Sequence, residues 1–403
     1  MAEKNSKYMQ VALRLAQRGI GSVEPNPAVG AVLVKANQIV GKGWHKKFGG
    51  PHAEINALED CKKLGVNPQG AAMYVTLEPC CHQAKTGPCT EAIIAAGISK
   101  VIVAAIDPSE HASGKGIEKL RSAGIEVETG VCETQARLLN APFFKFAATG
   151  KCWVILKWAQ SIDGKVAWDQ KSGERRWISG EESRKDVHKL RRRVQAILVG
   201  VNTVIADDPL LTARPVRSER RKSATAPQGL ASNGARPGKG KKAARIVLDN
   251  HLRIPLDCKL LATTKEAPVL ILTSQQTLQV NPQIVEKVTQ KGAEVLAYPD
   301  TEGRSNLHFL ICELAKRDVV QLLVEGGPAV IASFLKEQLA DQVVVYITPK
   351  ILGPQGSVAI TEAMAELTET VDLHHVEIER FGDDVRLTAL SKKALDEISV
   401  VEG

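Results

Sequence analysis

Aromatic residues make up only 4% of the chain, too few for the stacking platforms that hold single-stranded nucleic acid. No stretch approaches the ~20 consecutive apolar residues of a membrane span, so no membrane partner is expected. The opening Met-Ala-Glu-Lys-Asn-Ser leads into no apolar run, which argues against a secretory leader and for a cytoplasmic protein. The eight cysteines then read as free thiols or metal ligands, not disulfides. Cys61, Cys132, Cys152, Cys258 and Cys312 stand isolated and are expected to be small buried hydrophobes. No repeat with a period of roughly 20 to 50 residues appears, which excludes a solenoid. The second half contains no Gly-x-Gly-x-x-Gly, and Gly41-Lys-Gly43 and Gly114-Lys-Gly116 are half-matches in the first half. A Rossmann cofactor site is therefore not supported.

What is present is a chain of 403 residues, too long for one ordinary core and suited to two domains. Its net charge of +8 is concentrated: residues 215–243 alone contribute +7, within a segment rich in Gly, Pro, Ala and Ser that lacks any aromatic residue. Such a segment cannot build a core and reads as a solvated, disordered basic insertion. An arm that grips a polyanion is the alternative reading of it.

Periodicity and breakers predict an α/β chain. A first helix is expected from Ser6, as N-cap, to Arg18, closed by Gly19. Strands 29–35 and 38–43 form a hairpin around Ala36-Asn37, and a helix runs from Pro51 to Leu64 with Ile55, Leu58 and Leu64 at helical spacing. Further strands are expected at 72–77, 101–106 and 126–129, with helices at 88–96, 116–123 and 133–149. Gly150-Lys151 marks the boundary, so the domains are taken as 1–148 and 149–403. The second domain is read with strands from Trp153 to Gln160 and at 195–200, 245–249, 268–273, 319–324, 342–348 and 384–390. Its helices are placed at 180–193, 281–291, 307–316 and 328–338.

The chemistry is concentrated between residues 49 and 89. This stretch offers His52, Glu54 two positions on, Cys80 after Glu-Pro, and Cys89 after Pro. An imidazole and two thiolates leave a fourth position open on a zinc ion, as catalytic zinc requires. The unligated Glu54 is what an activated water needs as a proton shuttle. His52 and Glu54 open a helix, whose N-terminal end favours a carboxylate and nearby thiolates. Cys81 competes with Cys80 as ligand, but the preceding Glu-Pro favours Cys80. In the second half, Val324-Glu325-Gly326-Gly327-Pro328 runs from a strand through glycines into a helix, a natural phosphate cradle.

Zinc deaminases commonly carry His-x-Glu with Pro-Cys-x-x-Cys, whereas here the two cysteines stand nine apart. That spacing, with His82, Lys85 and Thr86 inside it, resembles the deaminase domain of the RibD family of bifunctional riboflavin-biosynthesis proteins. Pro25-Asn26-Pro27-Ala28-Val29-Gly30, Gly43-Trp44-His45 and Asp107-Pro108 fit the same family. The resemblance implies that Asn26, His45, His82 and Lys85 line a pocket for a pyrimidine bearing a ribose phosphate. Ser109 departs from the Asn usual there.

Downstream, the stretch from Lys157 to Gly164, Trp177-Ile178-Ser179, and the stretch from Thr203 to Arg214 resemble the family's reductase domain. That domain has a dihydrofolate-reductase-like fold and uses NADPH, and the N-terminal one has a cytidine-deaminase-like three-layer fold. Carried over, Ala159, Trp177, Thr203, Asp207, Asn250 and the turn Gly327, Pro328, Ala329, Val330, Ile331, Ala332 and Ser333 would contact NADPH. Arg191, Leu211, Arg214 and Glu325 would hold substrate, its phosphate suited to the two arginines. Arg175 falls at a further substrate position. Lys157 and Glu325 are candidates for ring opening or proton transfer.

The reactions implied are zinc-dependent deamination of 2,5-diamino-6-(5-phosphoribosylamino)pyrimidin-4(3H)-one, then NADPH-dependent reduction of ribosyl to ribityl. A homo-oligomer is implied by the same resemblance. A nucleic-acid deaminase using residues 215–243 as an RNA clamp is the competing reading; the cysteine spacing and the reductase-like half argue against it.

Overall fold

The computed structural model describes residues 2–82, 87–109, 112–169, 177–213, 242–299, 307–365 and 367–399. The expected insertion at 215–243, all but its last two residues, lies outside them, as do Lys85, Arg175 and Arg214. The chain divides into two compact units, Met1–Gly150 with Glu397–Gly403, and Lys151–Asp396.

The first unit is a five-stranded sheet ordered β2-β1-β3-β4-β5. It is built from β1 (Gly30–Lys35), β2 (Gln38–Trp44), β3 (Ala72–Val75), β4 (Lys100–Val103) and β5 (Glu126–Thr129). The β1–β2 hairpin turns at Ala36 and Asn37, both in the left-handed region (φ 47° and 64°), as a two-residue loop requires. β3, β4 and β5 run parallel, so the segments after β3 and β4 leave the sheet at one edge. Helices α2 (Ala53–Lys63), α3 (Cys89–Ala95) and α4 (Lys115–Ser122) cover it, joined by α1 (Ala2–Ala16).

Several boundaries depart from the sequence reading. α1 starts four residues before Ser6, whose hydroxyl meets the Cys132 sulfur at 3.4 Å instead of capping. Gly19 is not a left-handed cap; a Cβ there would meet the His45 carbonyl at 2.6 Å, and Gly21 takes the positive φ. The single helix expected over 133–149 is two, α5 (Glu133–Leu139) and α6 (Ala141–Thr149). Pro142 cannot continue a helix, and the Asn140 side chain at the break clamps the Ala28 backbone, accepting from its N–H at 2.8 Å and donating to its carbonyl at 2.9 Å.

The face that α2 buries is the decisive local feature. Ile55, Leu58 and Leu64 suggested it, yet Leu64 is 63% exposed, while Ala53, Ala57 and Cys61 are fully buried. These small residues lie on the glycines of β2. A Cβ on Gly43 would sit 2.2 Å from the Ala53 carbonyl oxygen, and one on Gly41 would sit 2.5 Å from that of Ala57. Helix and strand thus meet backbone to backbone. Gly43→Ala is expected to cost about 1–3 kcal/mol, the usual penalty for overpacking, read as a lower midpoint in denaturant. An unchanged midpoint would show that the helix can back away.

The second unit is a nine-stranded sheet ordered β11-β10-β9-β8-β12-β6-β13-β16-β15. Its strands are β6 (Trp153–Ser161), β8 (Ala196–Gly200), β9 (Ala244–Leu248), β10 (Val269–Ser274), β11 (Glu294–Tyr298), β12 (Gln321–Val324), β13 (Gln342–Thr348), β15 (Leu373–Phe381) and β16 (Asp384–Ser391). The first seven in that order run parallel, and β16 and β15 are antiparallel additions. A separate ribbon pairs β7 (Lys165–Trp168) with β14 (Gly356–Ala359). β7, β11, β14 and β15 were not expected. β7 and β14 are four residues long, and β15 is an edge strand exposed along nearly its whole length, so none has a clean buried alternation to read. The core packs Val154, Leu156, Leu198, Leu322, Ile331 and Phe334. Helix α7 (Glu181–Arg193) is capped from outside by the buried Asp384, whose carboxylate accepts from the Gly180 N–H at 2.7 Å and the Ser183 hydroxyl at 2.6 Å.

Candidate active sites

In the first unit, three helix N-termini converge on the sheet edge beyond β3 and β4. His52 is the N-cap of α2, with an extended backbone (φ −72°, ψ 170°), so α2 begins two residues later than expected. Cys80 follows β3 and Cys89 is the first residue of α3. Their ligating atoms and that of His52 all lie within 4.8 Å of one another. His52 Nδ1 is 3.5 Å from the Cys80 sulfur and 3.4 Å from that of Cys89, and the Cys89 backbone N–H donates to the Cys80 sulfur at 3.4 Å. The two thiols share one site: the side-chain bond from the Cys89 thiol draws the Cys80 pKa down to about 4, and the same thiol–thiol bond pushes Cys89 up.

Glu54 projects from the first turn of α2 and is 3% exposed. Its Oε2 is buried and finds no hydrogen-bond partner. Burial, above all, raises its pKa to about 7. A buried carboxylate oxygen is rarely left unpaired; an orphan beside one imidazole and two thiolates fits a centre that brings a dication and a water. His45 lies deeper, with Nδ1 3.0 Å from the Pro51 carbonyl and Nε2 3.4 Å from Asn26 Nδ2. Donation to Pro51 leaves Nε2 as the acceptor from Asn26. The His45 ring meets the His52 ring edge-on, centroids 5.2 Å apart, and burial lowers its pKa. His82 is exposed. Cys81, the competing thiol, is not in the cluster.

Glu78 was not singled out by the sequence reading. It is 4% exposed and accepts four backbone N–H bonds: from Asp107 (3.3 Å) and Gly114 (3.0 Å) at Oε2, and from Gly116 (2.9 Å) and Ile117 (3.3 Å) at Oε1. The only sequence signal was Glu-Pro immediately before a candidate ligand. Of the isolated cysteines, Cys61, Cys152 and Cys258 are buried as expected, while Cys132 and Cys312 are only partly so.

In the second unit the expected residues fall beyond the carboxyl ends of adjacent parallel strands, where open α/β sheets bind ligands. Ala159 lies near the end of β6, Glu325 follows β12, Thr203 follows β8 and Asn250 follows β9. Gly327 caps the Pro328–Lys336 helix, and a Cβ there would face the Thr203 hydroxyl at 3.8 Å, leaving an open cradle. By contrast, Gly326 and Gly200 are packed against Val330, and Ile331 lies in the core. Trp177 is 57% exposed, with the Arg184 guanidinium 5.6 Å from its ring centre. Asp207 ends helix α8 (Val201–Asp207).

Lys157, Arg191 and Glu325 form one partly buried charge cluster. Arg191 grips Glu325 with two bonds, Nε to Oε1 at 2.6 Å and Nη2 to Oε2 at 2.9 Å, and its Nη1 reaches the Thr212 carbonyl at 3.4 Å. The neighbouring Leu211 holds φ 48°, costly for a bulky residue and common at ligand clamps. Lys157 Nζ is 3.8 Å from Glu325 Oε2 and 5.7 Å from the Tyr346 ring centre. Burial would raise the Glu325 pKa, but Arg191 and then Lys157 outweigh it and hold it at about 2. Burial lowers that of Lys157. The expectation that Arg191 serves a phosphate is thus qualified: two of its nitrogens are committed to Glu325. The Ser161-Ile162-Asp163-Gly164 motif is a turn, in which Asp163 accepts from the Ser161 hydroxyl and the Leu352 and Gly353 N–H groups.

Comparison with known proteins follows the same division. A family described as the cytidine and deoxycytidylate deaminase zinc-binding region matches residues 2–105, and the RibD C-terminal domain matches 152–387. The riboflavin biosynthesis protein RibD of Aquifex aeolicus is 43% identical over 383 residues, 95% of this chain and 97% of its own length. Among solved structures, Acinetobacter baumannii RibD is 33% identical with a TM-score of 0.78, covering 97% of this chain and all (100%) of that one. A diaminohydroxyphosphoribosylaminopyrimidine deaminase/5-amino-6-(5-phosphoribosylamino)uracil reductase from Thermotoga maritima is 31% identical with the same TM-score of 0.78, covering 97% and 99%.

Proposed function

Because this chain belongs to the RibD family of bifunctional deaminase–reductases of riboflavin biosynthesis, we propose which residues carry its two reactions and on what substrate. Its first half is a zinc-dependent deaminase and its second a reductase of the NADPH-dependent kind. We assign them to residues 1–148 and 149–403.

The deaminase substrate is 2,5-diamino-6-(5-phosphoribosylamino)pyrimidin-4(3H)-one. His52, Cys80 and Cys89 would hold the zinc, which would supply Lewis-acid activation of water near neutral pH. Glu54 moves two protons in turn at Oε2, one from the attacking water to the ring nitrogen and a second from the newly added hydroxyl to the departing amine. Asn26 and His45, hydrogen-bonded to each other, would orient the ring, and the family resemblance assigns His82 and Lys85 to the ribose phosphate. The observation that carries this reading is the orphaned, buried Oε2 of Glu54 beside the three ligands.

In the reductase, NADPH supplies the hydride and the protein orients it. Ala159, Trp177, Thr203, Asp207, Asn250 and the turn from Gly327 to Ser333 would hold the cofactor. Glu325 stays ionised at neutral pH and so serves as an anchor for Arg191 and Lys157, leaving Lys157 as the proton donor. Arg191 and Leu211 would contact the substrate, and the family resemblance adds Arg214 and Arg175 to them. The enzyme works in the cytoplasm as a homo-oligomer on small phosphorylated pyrimidines, not on nucleic acid. No described helix is long and apolar enough to cross a membrane.

The test is to supply the diaminopyrimidinone ribose phosphate with and without NADPH and weigh the products. Without NADPH the product should exchange one amine for oxygen and release ammonia; with it, the product should gain two further hydrogens. Ammonia release without NADPH oxidation would restrict the activity to the first half.

A further inference from the structure

The Glu78 carboxylate carries more hydrogen bonds than any group in the deaminase mechanism, yet that mechanism does not use it. It sits between β3 and Cys80, and its four donors come from two separate segments: Asp107 beyond β4, and Gly114, Gly116 and Ile117 at the start of α4. The following peptide is equally confined, because a Cβ on Gly116 would lie 2.1 Å from the Pro79 carbonyl oxygen. The Glu78 backbone N–H is also fixed, donating to the Ala105 carbonyl at 3.0 Å. Cys80 therefore leaves a turn that is held on three sides.

From this geometry we infer that Glu78 is a positioning residue, which sets the Cys80 sulfur at the distance from His52 and Cys89 that the metal needs. The inference rests on the zinc reading of those three residues. Only a carboxylate meets the demand. All four partners are N–H donors, so an amide would turn its NH₂ group on two of them, and aspartate is one methylene too short to reach both pairs. The same bonds place the Asp107 backbone, whose own side chain accepts from the Ser109 N–H (2.8 Å) and hydroxyl (2.6 Å). One buried anion thus registers the ligand turn against the neighbouring loop.

The experiment compares the full chain with Glu78→Gln. Zinc affinity is read by chelator competition, ligand geometry by the absorption bands of the cobalt-substituted protein, and stability by melting with and without zinc. Loss of a group that orients a metal ligand typically costs 10- to 100-fold in metal affinity, so a loss of ~10- to 100-fold, shifted cobalt bands and a smaller zinc-induced rise in melting temperature are expected. A purely structural Glu78 would lower the melting temperature of apo and zinc-loaded protein alike and leave affinity and spectrum unmoved; that result overturns the proposal. Should Glu78→Gln not accumulate as folded protein, Glu78→Asp is read by the same measurements with the same two outcomes. If the parent protein itself binds no zinc, it is the zinc reading that fails, which separates the two.

Discussion

Glu54→Gln should keep its zinc and lose deamination by a factor of ~10² to 10⁴, the usual worth of a positioned acid–base group. The substitution is close to isosteric, and the α2 backbone that carries it is fixed against β2, so His52 two residues away has no reason to move. What changes is that an amide cannot accept and return a proton at the position of Oε2, the buried oxygen without a partner. Ammonia release and metal content measured on the same preparation decide it. Loss of both together would mean that Glu54 holds the site together, and near-normal ammonia release would remove it from the chemistry.

The second large effect is expected at Glu325. Glu325→Ala strands the Arg191 guanidinium and the Lys157 ammonium in a cluster largely shielded from solvent. Breaking a buried pair from one side usually costs about 3–5 kcal/mol, and reduction of the deaminated substrate should fail with it. The pH dependence has a definite sign. A carboxyl held at about 2 against its ordinary 4.5 gives stability that is fully present above 4.5. That stability is lost as pH falls through the window down to about 2, and is worth about 3 kcal/mol in all. The parent reductase half should weaken over that acid range, whereas Glu325→Ala should start weaker and lack this part of the acid dependence. Parallel acid profiles for the two proteins would show that Arg191 and Lys157 do not hold Glu325 as described.

The α/β character of the chain and the residues that cluster at His52, Cys80 and Cys89 could be read from residue types, because His-x-Glu and two Pro-Cys steps restrict chemistry locally. The α2 face was misread for a physical reason. Apolar periodicity weights Ile55, Leu58 and Leu64, but the contact is made by Ala53, Ala57 and Cys61, since only small side chains let a helix rest on the glycines of a strand. Glu78 was passed over because its four donors lie 29 to 39 residues downstream. Arg191 looked like a phosphate ligand because its partner Glu325 is 134 positions away. Charges that neutralise each other over such separations leave no periodic trace. Asn26 and His45, only 19 apart, were named together on family resemblance, and their mutual bond was still not foreseen.

The contact between α2 and β2 bears on how this enzyme can change. Where layers are separated by side chains, a core accepts substitutions by repacking. Between Gly41 or Gly43 and α2 there is nothing to repack, because carbonyl oxygens stand where a methyl group would go. The position of His52 and Glu54 is thereby inherited from the main chain and is insulated from drift elsewhere in the core. Mutational libraries meant to retarget the deaminase toward other amines can therefore vary Asn26 and His45, provided positions 41, 43, 53 and 57 stay small and the turn from Glu78 to Cys80 is kept.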